Sequence, residues 1–207
     1  MRRVIYLHGF ASGPNSTKAR HFRDRLEHAG FAVDVPDLAA GDFEHLTITR
    51  QLGVLEKTAA NAPASLVGSS MGGYLAALYA ARHPEVERLV LMAPAFGFVR
   101  RWPDRVGATE MERWRREDSL EVFHYGDGRS RSLSYQLIED AAQYEDFPAF
   151  VQPALIFHGA QDDVVPPSYS EEFAAGQPNV MLRIVDSGHD LLNVLGPVAD
   201  QSLAFLT

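Results

Sequence analysis

The sequence predicts a single α/β domain built on a mostly parallel, doubly wound sheet of about six strands. Strand and helix patterns alternate along most of the chain, and the strand segments are almost continuously apolar. Strands that are apolar at every residue are buried on both faces, as in a parallel sheet covered by helices on each side. A length of 207 residues suits one such domain and is short for two.

Each strand and helix is predicted from its own local signals. The strands are apolar runs that end at turn residues, over residues 3–7, 31–35, 64–67, 88–92, 154–157 and 180–185. Helical spacing and capping residues predict helices over residues 17–29, 47–60, 71–83, 168–176 and 196–205. Ser16 is expected to cap the first helix, and Ser168 with Glu171 to form a capping box for the fourth.

Residues 95–150 interrupt this alternation with a segment that shows no convincing strand pattern. A loop of this length without structure is improbable in a compact domain. We therefore predict a helical cap insertion within the single domain of residues 1–207, acting as a lid over the active edge. Between residues 100 and 131, eight arginines alternate with seven carboxylates, which favours a solvated surface over an anion-binding one. The ten aromatic residues of the insertion predict a small core and part of an acyl pocket.

Composition excludes several classes of protein. The absence of cysteine excludes a disulfide scaffold, a thiol nucleophile and a zinc-thiolate site. A net charge of −8 disfavours binding to nucleic acid through phosphates. No apolar run approaches the ~18 residues of a membrane span, and the apolar run after Arg2 and Arg3 is too short for a signal peptide. We expect a cytoplasmic protein with a small-molecule partner and no cofactor or metal; monomer and homo-oligomer stay open.

A candidate nucleophile follows the third predicted strand. Gly68-Ser69-Ser70-Met71-Gly72 has the pattern G-x-S-x-G between a strand and a helix, which is typical of a nucleophile elbow. Such a turn holds the serine in a strained conformation and requires small residues two positions away on each side. Ser70 has glycine at both positions, whereas Ser69 would have Val67 and Met71. The pattern therefore selects Ser70 and leaves a tight turn without chemistry as the alternative.

A serine nucleophile needs a general base and a carboxylate that orients it. His189 follows the last strand, and Asp162 follows the strand before it, with Asp163 as the second choice for the acid. His158 is expected to be a packed turn residue, and an exposed loop histidine stays the alternative for His189. The order Ser70, Asp162, His189 is the order of α/β-hydrolases, and differs from that of chymotrypsin and subtilisin.

The loop after the first strand is expected to supply part of an oxyanion hole. Its two backbone donors are predicted to be the N–H groups of Phe10 and of Met71, the residue after the nucleophile. His8 is expected to brace this loop rather than to act in catalysis. For Lys18 two roles stay open: its side chain holds this loop in place, or it is only a solvated charge on the surface of a helix.

At these residues the sequence resembles the α/β-hydrolase superfamily, and within it the small bacterial esterases of the YqiA type. The resemblance rests on the segments IYLHGFASGPNSTKA, FEHLTITRQL, LVGSSMGGYLAALYA, HGAQDDVVP and SGHD. It implies the α/β-hydrolase fold and a serine esterase that needs no cofactor. The predicted function is hydrolysis of carboxylic esters of small or medium acyl chains through an acyl-enzyme intermediate. A thioesterase with the same side chains and a non-catalytic binding protein of the same fold are the alternatives.

Overall fold

A computed structural model describes residues 2–207, and the predicted parallel sheet is confirmed. The strands along the chain are β1 (Arg3–Leu7), β2 (Ala32–Asp34), β3 (Ala64–Ser69), β4 (Val86–Met92), β5 (Leu120–His124), β6 (Arg129–Leu133), β7 (Ala154–Gly159) and β8 (Val180–Val185). Six of them form one sheet in the order β2-β1-β3-β4-β7-β8, and all of its pairs are parallel. The strand order reverses between β1 and β3, the position at which doubly wound sheets open a crevice for ligands.

Helices cover both faces of this sheet. They are α1 (Thr17–His28), α2 (Ile48–Ala59), α3 (Met71–Ala80), α4 (Trp102–Val106), α5 (Ala108–Glu117), α6 (Gln136–Ala141), α7 (Ser168–Ala175) and α8 (Leu195–Leu206). Because successive side chains of a strand point to opposite faces, the apolar strands feed two separate cores. Val4 and Tyr6 of β1 pack with α1 and α8, whereas Ile5 and Leu7 pack with α2, α3, α7 and the insertion.

The expectation that residues 95–150 lack a strand is wrong. Strands β5 and β6 form an antiparallel two-stranded sheet between α5 and α6. Trp114 of α5 is fully buried, and its indole Nε1–H donates to the carbonyl of Leu133 in β6 at 2.7 Å. At the turn of the hairpin, the N–H of Tyr125 donates to the carbonyl of Ala11 in the loop after β1, at 2.8 Å. The hairpin thus contacts the edge of the sheet where strands β1 and β3 end.

Two local predictions about helices also need correction. The helix predicted over residues 71–83 ends earlier, at Ala80, and the expected capping box at Ser168 does not form. Pro167 is the capping residue of α7, and no side chain there accepts the hydrogen bond of a cap. By contrast, Ser16 caps α1 as predicted, since its hydroxyl accepts from the N–H of Ala19 at 3.3 Å.

The helices are short in comparison with the thickness of a lipid bilayer. Within residues 2–207 none of them combines the length and the apolar character needed to span a membrane.

Candidate active site

Ser70 lies in the sharp turn between β3 and α3, at the carboxyl edge of the sheet. Its backbone has φ 54° and ψ −116°, which is a strained conformation for a residue with a side chain. The turn is held by the N–H of Ser70, which donates to the carbonyl of Met92 at the end of β4 at 2.8 Å. Such strain persists only where the surrounding structure enforces it, and it is common at active sites.

The two glycines that flank Ser70 are required by close backbone contacts. A Cβ atom on Gly68 would overlap the carbonyl of Gly72, and a Cβ on Gly72 would overlap the carbonyls of Leu7 and His8. Gly72 therefore allows α3 to begin directly against the end of β1. This is the steric reason for the G-x-S-x-G spacing that selected Ser70.

The structure brings together the three side chains that the sequence selected from distant segments. His189 follows β8, and its Nε2 lies 3.0 Å from Oγ of Ser70. Its Nδ1 lies 2.7 Å from Oδ2 of Asp162, which follows β7. In this arrangement the Ser70 hydroxyl can donate to Nε2, while Nδ1–H donates to the carboxylate. Asp162 thereby fixes the tautomer of His189 that leaves Nε2 free to accept a proton.

Asp162 is buried, whereas its neighbour Asp163 is exposed, so the structure favours Asp162 for this position. Its second oxygen, Oδ1, accepts from the N–H groups of Val164 and Val165 at 2.9 and 2.8 Å. Burial by itself raises the pKa of the Asp162 carboxyl, but hydrogen bonds from His158 and His189 outweigh burial and hold this pKa well below its ordinary value. The carboxylate is therefore charged at neutral pH.

The partner of Asp162 that the sequence analysis missed is His158, which was expected to be a packed turn residue. His158 is fully buried near the end of β7, and its Nε2 lies 3.1 Å from Oδ2 of Asp162 and 2.8 Å from the carbonyl of Val165. Because both of these are acceptors, Nε2 must carry the proton. Nδ1 then accepts from Oγ of Ser170 in α7, at 2.7 Å. The available signal was a polar residue inside a strand buried on both faces, since such a residue needs partners.

Two backbone N–H groups next to Ser70 are positioned to stabilise negative charge. Met71 is the first residue of α3, so its N–H has no partner within the helix. Gly9 lies against the turn, since a Cβ there would be 3.5 Å from Cβ of Ser70, and Phe10 follows it. Within residues 2–207 neither Phe10 nor Met71 uses its N–H in a hydrogen bond with another protein atom. Both groups are thus free to donate to an oxyanion.

His8 has the bracing contacts that the sequence analysis expected. Its Nε2 accepts from the N–H of Leu38 at 3.2 Å, so the proton lies on Nδ1, which is 3.0 Å from the carbonyl of Gly9. Burial lowers the pKa of His8 and favours this neutral form. The imidazole therefore ties the loop after β1 to the segment that follows β2.

Ser70 lies between two spaces of very different size. One is a cavity of about 20 Å³, here called the small cavity, which is lined by apolar side chains such as Phe98, Trp102 and Val165 and also by Arg101 and Arg105. The other is an open groove of about 1230 Å³, here called the large groove, which runs past Lys18, Tyr125 and His189. Phe10 and Ser70 line both. Ser70 thus borders one space for a small group and one space for a much larger group.

No protein metal site is apparent near Ser70 or elsewhere in the described chain. Within residues 2–207, no three side chains of His, Asp or Glu come together in a way that could hold a metal ion.

Solved structures with the same fold include several hydrolases. The chain is similar to a putative hydrolase from Agrobacterium vitis S4, with 24% identity, a TM-score of 0.85 and coverage of 100% of this chain and 88% of that one. It is also similar to Est1E from Butyrivibrio proteoclasticus, with 21% identity, a TM-score of 0.80 and coverage of 99% and 86%. Mouse alpha/beta hydrolase domain-containing protein 10 has 20% identity, a TM-score of 0.79 and coverage of 99% and 90%. At these identities the likeness shows the fold.

No curated protein sequence matches the chain significantly. The family match is nearly complete, since the uncharacterised protein family UPF0227 matches residues 3–206. The chain has the α/β-hydrolase fold, and the resemblance to the YqiA type that its motifs predicted is confirmed. The chain belongs to the uncharacterised protein family UPF0227.

Proposed function

We propose that the protein hydrolyses carboxylic esters of small to medium acyl chains through an acyl-enzyme intermediate on Ser70. The observation that carries the proposal is the unbroken line of hydrogen bonds from Ser70 through His189 to Asp162, with distances of 3.0 and 2.7 Å. The similarity of the fold to lipolytic enzymes from a metagenome, at 22% identity and a TM-score of 0.72, is consistent with it.

In the first step, Oγ of Ser70 attacks the ester carbonyl carbon and forms a C–O bond while its proton passes to Nε2 of His189. The electron pair of the carbonyl π bond moves onto the carbonyl oxygen, which becomes the oxyanion. The N–H groups of Phe10 and Met71 donate to this oxygen, each worth about 3–4 kcal/mol of transition-state stabilisation in well-studied cases. The carboxylate of Asp162 stabilises the imidazolium form of His189.

In the second step, the oxyanion re-forms the carbonyl and the bond to the alcohol oxygen breaks. The alcohol leaves with the proton held by Nε2 of His189, which returns to its neutral form. A water molecule then repeats the sequence on the acyl-enzyme. His189 removes its proton, the new tetrahedral oxyanion collapses, and Ser70 leaves with that proton as the free acid departs.

The same groups could also cleave a thioester, because the thiolate is a better leaving group than an alkoxide. Several arginines of the insertion are already paired with carboxylates and are not free to bind the phosphates of acyl-CoA. Arg113 pairs with Glu110 and Glu117, Arg131 pairs with Asp127, and Arg100 pairs with Asp146. We therefore keep ester hydrolysis as the proposed activity, and measuring CoA thioesters beside matched esters compares the two.

The decisive experiment combines a fluorophosphonate probe with hydrolysis of p-nitrophenyl acetate by the purified protein. We expect the wild type to be labelled and active, and Ser70→Ala to lose both, with a fall in turnover of several orders of magnitude (~10⁶ for a comparable serine hydrolase). Ser69→Ala is the matched control, since it removes a hydroxyl one residue away and is expected to keep labelling and turnover. Labelling or hydrolysis that survives in Ser70→Ala would contradict the proposal, and an unlabelled wild type would favour a non-catalytic binding protein.

A further inference from the structure

The two spaces beside Ser70 can be assigned to the two parts of an ester. The alcohol part must leave with a proton from Nε2 of His189, so it has to lie on the same side of the serine as the imidazole. His189 lines the large groove and is not among the lining residues of the small cavity. On the proposed mechanism, this assigns the acyl part to the small cavity and the alcohol part to the large groove.

Lys18 has an unusual position in the large groove. It is the second residue of α1, at the end of the helix where the dipole is positive and a cation is unfavourable. It is partly buried, and burial lowers the pKa of its ammonium group to about 8. The residue thus bears both a dipole penalty and a desolvation penalty.

Neither penalty is offset by a direct ion pair, and only the longer-range charges of Asp190 and Asp162 favour the ammonium form. Within residues 2–207 no carboxylate oxygen lies within 4.0 Å of the Lys18 ammonium, and this group makes no hydrogen bond. Oδ1 of Asp190 accepts from the N–H of Leu192, and Asp162 accepts from the N–H groups of Val164 and Val165 and from His189. The ammonium group therefore remains able to bind an anion.

The other charged groups of the groove are engaged or open to water. Arg131 pairs with Asp127 at 2.5 Å, and Asp37 accepts from the N–H groups of Ala39 and Gly41 at 3.1 Å. Lys18 differs from them because its ammonium is partly buried in the groove and has no ion-pair or hydrogen-bond partner. A partly buried cation that has no ion-pair partner and lines the same groove as Ser70 is well suited to bind a negatively charged ligand.

We propose that Lys18 is a specificity residue which binds an oxyanion, a carboxylate or a phosphate, on the alcohol part of the substrate in the large groove. This inference rests on the proposed ester hydrolysis. It makes the substrate an ester of a small acyl group with a larger, anionic alcohol. The ammonium would recognise the substrate by charge and take no part in bond breaking.

The kinetic test compares three acetyl esters with closely similar aryl leaving groups: 4-acetoxybenzoate, 4-acetoxyphenyl phosphate and the neutral methyl 4-acetoxybenzoate. The readout is the ratio of kcat/KM for each anionic ester to that for the neutral one, which cancels effects common to all substrates. We expect Lys18→Met to lower this ratio about 10- to 100-fold for the preferred anion, the range for a hydrogen bond between charged groups. The anionic ester whose ratio falls more in Lys18→Met, the carboxylate or the phosphate, identifies the anion that Lys18 prefers.

The chain provides a matched control in its only other lysine, Lys57, which is exposed on α2 and does not line the groove. Lys57→Met makes the same chemical change and is expected to leave the ratio as in the wild type. If Lys18→Met leaves both ratios unchanged while the neutral ester is still hydrolysed, the anion site is wrong and the proposed hydrolysis stands.

A second measurement does not depend on turnover. Binding of 4-acetoxybenzoate and 4-acetoxyphenyl phosphate is measured by calorimetry on Ser70→Ala and on the double variant Ser70→Ala with Lys18→Met. We expect the double variant to bind the preferred anion at least 10-fold more weakly. Equal affinity of the two variants for both anions, or no binding to either, would overturn the anion site even if no ester were hydrolysed.

Discussion

The imidazole of His158 lies 3.1 Å from the carboxylate of Asp162 and shares with His189 the same acceptor, Oδ2. Ser170 is hydrogen-bonded to His158, which contacts Asp162, and His189 is hydrogen-bonded to both Asp162 and Ser70. Ser170 and His158 are fully buried, and Asp162 is nearly so. Because water does not compete in the buried part, these contacts hold Asp162 in one orientation. His158 is thus a positioning residue for the proposed acid.

His158→Phe is expected to lower kcat about 10- to 100-fold with little change in KM, because it removes a donor to the carboxylate that orients His189. His158→Gln, whose amide can still donate, should restore part of the loss. Steady-state kinetics on p-nitrophenyl acetate measure both constants, and thermal unfolding shows whether each variant is folded. A folded His158→Phe with wild-type kcat would contradict this role.

The stability of the protein should depend on pH through Asp162. The folded state holds the pKa of this carboxyl below its ordinary value of 3.8, so only the unfolded state gains its proton as the pH falls below 3.8. The stability that the charged carboxylate contributes is complete above pH 3.8 and is lost below it. We expect the difference in free energy of unfolding between wild type and Asp162→Asn to narrow below that pH by about 1.4 kcal/mol per unit.

Urea unfolding of wild type and Asp162→Asn between pH 3 and 6 measures this difference. The effects of all other carboxylates cancel, because both proteins contain them. Asp163→Asn is the control: it removes the exposed neighbouring carboxylate and should change the free energy of unfolding by less than about 0.5 kcal/mol. A difference between wild type and Asp162→Asn that stays constant over this range would show that Asp162 is not held charged by the fold.

The glycines around Ser70 provide a test of the turn. Gly72→Ala is expected to destabilise the protein by more than about 3 kcal/mol or to prevent folding, since the new Cβ would overlap the backbone of Leu7 and His8. Gly53→Ala is the matched change inside α2, where no atom lies within 4 Å of the new Cβ. It should stabilise the protein by about 0.5–1 kcal/mol, because alanine favours a helix. Chemical denaturation measures both, and a stable Gly72→Ala would refute the steric argument.

The small cavity predicts the preferred acyl group. A volume of about 20 Å³ has room for little more than one water molecule, so kcat/KM should be highest for acetate esters and fall with longer chains. Phe98→Leu removes part of a lining ring and should raise the rate on butyrate and hexanoate relative to acetate. Phe150→Leu is the control, because Phe150 is equally buried but packs against Phe173 away from the cavity. Rates on p-nitrophenyl esters of increasing length measure this; a wild-type optimum at hexanoate or longer would contradict it.

The strands of the insertion could not be predicted from the sequence because few of their side chains are buried. In β6 the residues Arg129 and Ser130 are exposed and only Leu133 is buried, so no apolar alternation marks the strand. Its ladder is secured by distant contacts, such as the indole of Trp114 on the carbonyl of Leu133. Local sequence patterns cannot predict a hairpin that is stabilised mainly by contacts with residues distant in the chain.

The sequence by itself determined the six-stranded parallel sheet, the turn at Ser70 and the choice of His189. Each depends on short-range chemistry: continuous apolar strands, glycines where a Cβ cannot fit, and polar residues directly after a strand. Only the tertiary structure decided for Asp162 over Asp163, gave His158 its place behind the carboxylate and left Lys18 without a partner. Those features depend on which groups become buried together, and burial is set by contacts between segments far apart in the chain.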